Sequence, residues 1–352
     1  MISQEQLIVS IALGLVLPAL YPAAGGLFTF YERKVSAWMQ NRYGPNRVGP
    51  KGYFQFVADG VKFFLKEDIV PSHVDKPIYI AAPAIIMIPA LILFVPIPIG
   101  KSFTWNGQLV HLQIADLNVG ILYLLAVASL GIYGIVLGAW ASNSKYPLFG
   151  GIRASAQMIS YELAMGLSII TVVLMTSRAG VNGLSLHNII EHQTGYWFGF
   201  VPKWNVLANP LAFVIYLVCM FAETNRLPFD FAEAEQELVG GYHTEYSSMK
   251  WAVFMLSEYL NMITLSMLMA VLFFGGWHVP GIEAIPSQLV QVLVSVAAFG
   301  VKTLFFCFLY LWVRWTLPRL RYDKLMRIGW KVLLPLAFIT CIGTAAWLAV
   351  IE

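Results

Sequence analysis

Carboxylates are the side chains of this sequence best placed to do chemistry. Six fall between Glu223 and Glu245 (Glu223, Asp230, Glu233, Glu235, Glu237 and Glu245), with Glu258 a little further on and Glu162 well upstream. Carboxylates close enough to feel one another titrate as a group rather than singly, so a row of them can pass protons along. A solvated acidic loop is the ordinary explanation for such a run. Here Phe229, Phe231, Leu238, Val239, Tyr242 and Tyr246 are interleaved with the acids, which fits a packed segment better. Glu162 and Glu258 instead stand inside long apolar runs, where a carboxylate costs several kcal/mol unless it is paired, hydrated or protonated. Counted from Ala154 and Lys250, each lies about 12 Å along its helix at 1.5 Å per residue, so the two are expected at matched depth. A purely structural reading would bond each to a neighbour such as Tyr161 or Tyr259. Two acids at one depth beside an acidic segment favour a proton relay.

Basic residues gather elsewhere. The stretch Tyr31-Glu32-Arg33-Lys34 leads into Arg42-Tyr43-Gly44-Pro45-Asn46-Arg47-Val48-Gly49-Pro50, and then into Ala58-Asp59 and Lys66-Glu67-Asp68. The Gly-Pro pairs fix tight turns that hold Arg42 and Arg47 at a membrane edge, where contact with lipid headgroups is the simplest role. Residues 32–76 as a whole are too polar to span a bilayer and too apolar for open water. Phe54, Phe56, Val57, Val61, Phe63, Phe64 and Leu65 alternate with Asp59, Lys62, Lys66 and Glu67, the pattern of a helix lying on an interface or on a partner. Lys302 stands within a third apolar run, either snorkelling or paired with an acid.

The elements that must position these groups follow from composition. Of 352 residues, 59% are hydrophobic and 12% charged, against about 25% charged in a water-soluble domain. Apolar runs of roughly 20 residues mark membrane-crossing helices, whereas a barrel would show alternating segments of about ten. The expected fold is an all-α polytopic bundle, a single membrane domain over residues 1–352. Eight transmembrane helices are expected near 7–30, 77–99, 118–141, 154–177, 207–222, 250–274, 288–313 and 330–350, the fifth being the shortest. All basic residues except Lys101, Arg178, Lys203 and Lys302 fall after the odd-numbered crossings or at their edges. Basic loops stay in the cytoplasm, so both termini are expected on the periplasmic or outer side. The first crossing lacks the basic start and small-residue cleavage site of a signal peptide. Residues 32–76 and 223–249 become the two large cytoplasmic loops. Outside, Asn106-Gly107 suggests a short hairpin within 100–117, and Ser185 to Gln193 a brief helix.

Redox centres are expected to lie outside this chain. Cys219, Cys307 and Cys341 stand singly in apolar stretches without Cys-x-x-Cys spacing, so no iron–sulfur cluster is expected. The six histidines lie in loops or at their edges, which argues against membrane haem. No Gly-x-Gly-x-x-Gly or Walker loop is present. FMN and bound metal are likewise not expected.

Taken together, the strings Arg42-x-Gly-Pro-Asn-Arg-Val-Gly-Pro50, Trp140-Ala-Ser-Asn-Ser-Lys-Tyr146, Arg153-Ala-Ser-Ala-Gln-Met-Ile-Ser-Tyr-Glu162, Ala222-Glu-Thr-Asn-Arg-x-Pro-Phe-Asp230, Glu233-Ala-Glu-Gln-Glu-Leu-Val-Gly-Gly-Tyr242 and Glu258-Tyr259 resemble the H subunit of proton-pumping NADH:quinone oxidoreductase, respiratory complex I. The order is that of the family from about residue 28 to 330. Departures are confined to Phe56, Leu227 and Gln236, and none removes a charge. The resemblance implies a tunnel admitting a quinone, ubiquinone or menaquinone, at a site shared with partner subunits. The family's tunnel residues fall on Arg33 and Asp59, with Arg42 and Arg47 close by. Its acidic funnel falls on Glu162, Glu223, Glu233, Glu235, Glu237, Glu245 and Glu258, and couples quinone chemistry to proton translocation. Implied partners are hydrophilic quinone-site and iron–sulfur subunits on the cytoplasmic side, small and antiporter-like membrane subunits laterally, and lipid, with no nucleic acid. The implied location is a bacterial inner membrane or its organellar equivalent. Two rivals stand beside this reading. A secondary ion transporter would show inverted repeats and broken helices, which the sequence lacks. The related membrane subunit of an energy-converting hydrogenase would not be expected to carry the Gly-Pro-Asn-Arg-Val-Gly-Pro string.

Overall fold

A computed structural model of the chain describes residues 3–177, 180–197, 199, 201–232 and 235–351, without the side chains of residues 235, 236 and 351. It is mostly helical. In chain order the helices are α1 (Gln4–Met39), α2 (Gln55–Leu65), α3 (Lys76–Ile92), α4 (Gly120–Ala141), α5 (Lys145–Ser177), α6 (Leu186–His192), α7 (Asn205–Ala208), α8 (Pro210–Glu223), α9 (Glu235–Leu238), α10 (Ser248–Phe273), α11 (Gln288–Thr316), α12 (Tyr322–Ile328) and α13 (Leu334–Ile351). A π-helical turn at Gly329–Leu333 joins α12 and α13 into one rod. Two small antiparallel ribbons complete the described structure, β1 (Gly100–Trp105) with β2 (Gln108–Leu112), and β3 (Tyr196–Trp197) with β4 (Val201–Pro202).

Each of the eight apolar stretches is helical. Among the described residues, six helices are long and apolar enough to cross a membrane: α1, α4, α5, α10, α11 and the α12–α13 rod. The other two, α3 and α8, have 17 and 14 residues. Their ends explain the shortfall. Pro96 and Pro98, with no N–H to donate, follow α3, so the chain turns and enters β1 where the apolar run predicts helix to residue 99. Asn209 breaks the run before α8 and caps it, its side chain accepting from the Ala212 N–H at 3.0 Å.

Two helices run longer than the apolar pattern suggests. α1 continues to Met39, carrying Glu32 and Arg33 on rigid helix instead of loop, and ends where Asn41 turns left-handed at φ 52°. α5 begins at Lys145, nine residues earlier than expected. Glu162 is therefore much further from the start of its helix than Glu258 is from the start of α10, and matched depth by counting along helices does not hold.

The core is laid down by α10, in which most residues from Leu260 to Phe273 are buried. Helices α1, α3 and α11 pack around it, and α5 binds α4, α8 and α13. The β1–β2 hairpin turns through Asn106 and Gly107 at φ 51° and 79°, both left-handed as a two-residue type I′ turn requires. The Gly-Pro turns after α1 are equally sequence-determined: a Cβ on Gly52, at φ 83°, would sit 2.2 Å from the Pro45 carbonyl oxygen.

Candidate functional site

Gly25 and Gly26 bring three helices together. A Cβ on Gly25 would meet Leu256 of α10 at 2.9 Å, and one on Gly26 would meet Phe56 of α2 at 3.3 Å. With α10 on one flank of α1 and α2 on the other, a groove of about 650 Å³ remains between them, within the usual range for small-molecule sites of roughly 300–1,000 Å³. Its walls are mainly apolar, including Pro22, Phe56, Phe63 and Leu256, and its polar end holds Glu32, Arg33, Asp59, Tyr259 and Arg314.

Arg33 and Asp59 form an ion pair across the groove, from α1 to α2. Gln55 donates to the other Asp59 oxygen at 3.1 Å, and the Lys62 ammonium stands 3.9 Å away. Burial pushes the Asp59 carboxyl up, but the hydrogen bonds from Arg33 and Gln55 and the charges of Arg33 and Lys62 together outweigh it and hold it below the ordinary aspartate range. Arg42 and Arg47 do not join them. Both are exposed on the turns after α1, and Arg42 donates to Gln40 at 2.6 Å.

A polar string leads inward from the groove. Glu32, buried near the C-terminal end of α1, is ion-paired with Arg314 of α11 and accepts from the Tyr259 hydroxyl at 2.6 Å. The Arg226 guanidinium lies over the Tyr259 ring, 4.4 Å from its centroid, a favourable cation–π contact. Arg226 also faces Glu258 at 3.6 Å, and Glu258 accepts from the Tyr242 hydroxyl at 2.9 Å. Both are almost fully buried, a placement that is stable only because the charges are paired. Tyr310 stands within electrostatic range of both Arg226 and Glu223, and Glu223 in turn of Glu162. Glu223 is buried, and its Oε2 has no hydrogen-bond partner among the described residues.

The expected acids thus separate. Glu258 and Glu223 are buried in the string, and Glu162, half-buried, lies within electrostatic range of Glu223. Glu237 lies on the surface paired with Arg153 at 2.8 Å. Glu245 faces His73 at 4.0 Å, on the α3 side of the 241–246 segment, where its carbonyl accepts from Tyr79 at 2.7 Å. Glu233 and the Glu235 side chain lie outside the described residues. Asp230 pairs with Arg319 at 2.8 Å.

Sequence reasoning does not single out Glu32, Arg226, Tyr242, Tyr259, Tyr310 or Arg314 as site residues. The first apolar run ends just before Glu32, which places that residue in a loop. A count continuing the α1 helix would put it on rigid structure. Lys302 is not paired with an acid among the described residues. Its ammonium donates to the carbonyls of Phe274, Gly276 and His278 at 2.7, 2.8 and 2.7 Å, closing the end of α10. Among the described residues no three His, Cys, Asp or Glu side chains are grouped to hold a metal ion.

Comparison with known proteins is direct. Residues 11–345 match the profile of a family described as NADH dehydrogenase. An H subunit of NADH-quinone oxidoreductase from Cytophaga hutchinsonii is 49% identical over 319 residues, covering 90% of each chain. The H subunit of the same oxidoreductase from Protochlamydia amoebophila is 49% identical over 322 residues, covering 92% of each. That of Flavobacterium johnsoniae is 46% identical over 321 residues, covering 90% of this chain and 89% of its own.

Proposed function

The chain belongs to the H-subunit family of NADH-quinone oxidoreductase, as a multi-pass membrane subunit of that oxidoreductase, and on this premise we propose that its groove admits the quinone and its buried string couples quinone reduction to proton translocation. The observation that carries the reading is the continuity of the two. An apolar groove ends at Arg33–Asp59 and Glu32–Tyr259, and from Tyr259 an unbroken series of contacts runs through Arg226 to Glu258 and Tyr242.

An apolar wall of this kind suits an isoprenoid tail, and the charged end suits a headgroup whose carbonyl oxygens gain negative charge on reduction. Electrons come from a partner subunit. Reduction of a quinone to a quinol takes up two electrons and two protons. A change of charge at the Glu32–Arg314–Tyr259 cluster alters the field at Arg226 only 4.4 Å from the Tyr259 ring. It thereby changes the cost of charging Glu258, then Glu223 and Glu162. Glu237 and Glu245, with their own basic neighbours, act as the cytoplasmic margin of the string.

In this reading α3 and α8 complete eight crossings, both termini are outside, and the membrane is a bacterial inner membrane or its equivalent. Partner subunits cover the cytoplasmic side. Helix α2 has no buried residue, and Val57, Val61, Phe64 and Leu65 are exposed on it, a patch suited to a partner or to the bilayer surface.

The test is the whole oxidoreductase in liposomes carrying Glu162→Gln or Glu223→Gln. NADH oxidation by quinone is expected to continue with proton translocation per electron sharply reduced. Unchanged pumping per electron in both variants would remove the coupling role.

A further inference from the structure

A second cavity opens far from the groove, among the ends of helices. About 540 Å³ in volume, it is lined by Lys203, His192, Trp197 and Trp347, with apolar side chains such as Leu207 and Leu348. It lies beside the last turn of α5, the last turns of α13 and the start of α8, where Asn209 donates to Thr344 at 2.9 Å. These are the ends of three apolar helices, on the side of the chain termini, and hence at the level where hydrocarbon gives way to headgroups.

We propose that this cavity binds the phosphodiester headgroup of an anionic phospholipid, with the acyl chains descending over Leu207 and Leu348. Charge and composition support this occupant. Lys203 is one of the few basic residues on this side. Lys101, another, donates to Gln291 at 3.0 Å, whereas the Lys203 ammonium has no acceptor among the described residues. His192 Nδ1 is buried and has no hydrogen-bond partner among the described residues. Burial and the neighbouring Lys203 charge keep the His192 imidazole below its ordinary pKa, which favours its neutral, hydrogen-bonding form beside the cation. Two tryptophans flank the cation, as is typical of the membrane–water interface. Among the described residues no acid lines the cavity.

The test uses the purified whole oxidoreductase, incubated with a photoactivatable phosphatidylglycerol and mapped by mass spectrometry. Labelling is expected within residues 197–208 or at the end of α13. Unlabelled phosphatidylglycerol should compete with it, and phosphatidylcholine should not. Lys203→Gln should weaken labelling about five-fold, the order of one interfacial lysine, and Lys203→Arg should retain it. Because Lys203 is remote from the groove, quinone reduction by Lys203→Gln at saturating lipid serves as a folding control. Competition by inorganic phosphate alone would make the cavity a site for free anions and overturn the lipid assignment. Equal competition by phosphatidylcholine, absence of labelling from this cavity, or insensitivity to Lys203→Gln would overturn it as well.

Discussion

Replacing Glu32 by Gln tests how much the groove depends on a charge that sequence alone does not single out. The carboxylate accepts two bonds, one from Arg314 and one from Tyr259 at 2.6 Å. A hydrogen bond to a charged group contributes about 1.5–3 kcal/mol. Gln keeps one acceptor oxygen, so it can satisfy one of the two donors, and the loss is on the order of one such bond. The Arg314 side chain is 27% exposed and recovers part of this through water, leaving about 1.4 kcal/mol, or a factor of ten. The matched control is Asp59→Asn. Its partner Arg33 is 45% exposed, and exposed pairs contribute only about 0–1 kcal/mol. The assay is kcat/KM for a short-chain quinone in the purified complex, normalised to NADH oxidation by a water-soluble acceptor that bypasses the groove. Glu32→Gln is expected to lower kcat/KM about ten-fold, while Asp59→Asn changes it less than about five-fold, mainly through KM. Wild-type quinone kinetics in Glu32→Gln would refute the placement of Glu32 at the working end of the groove.

Three further outcomes follow from the same contacts. A Cβ on Gly150 would lie 2.7 Å from the Tyr242 backbone nitrogen, so Gly150→Ala should displace Tyr242 from Glu258, costing about 1–3 kcal/mol in thermal stability and lowering protons pumped per electron. Lys302→Met leaves three carbonyls at the end of α10 without their donor and should lower the thermal inactivation temperature of the complex, Lys302→Arg less so. The Asp59 pair should resist acid. Because its folded pKa lies below the unfolded value of about 3.9, its contribution is fully present above that value and is lost only as pH falls through the lower folded one. Quinone KM should therefore show no Asp59 titration between pH 8 and 5, and an Asp59-dependent rise in that window would contradict the pair.

How much of this is readable in the chain varies by interaction. Hydropathy locates every long helix, because lipid selects continuous apolar runs whatever their tertiary partners. The hairpin is readable from Asn106-Gly107, since few other residues tolerate that backbone. Helix ends are not, because α1 and α5 extend into polar sequence that tertiary packing holds helical, α5 being tied to the 237–243 segment by Arg153 and Gly150. Family resemblance assigns Arg33 and Asp59 to one tunnel but not to each other, and nothing in sequence spacing says that residues 26 apart on different helices meet. Buried arginines are underestimated for the same reason. Arg226 reads as one base in an acidic loop until Glu258 and Tyr259 are seen to face it.

The clamp on α10 has a mechanical corollary. Besides Lys302, Gln193 grips the same end, donating to the Val271 carbonyl at 2.9 Å and accepting from the Gly275 N–H at 3.0 Å. A rod fastened at one extremity resists sliding along its axis, so any displacement of its other end takes the form of a swing. Glu258 stands roughly 24 Å from that fulcrum at 1.5 Å per residue, so a swing of about 5° would sweep it through about 2 Å, enough to part it from Tyr242 or Arg226 while the opposite membrane face stays still.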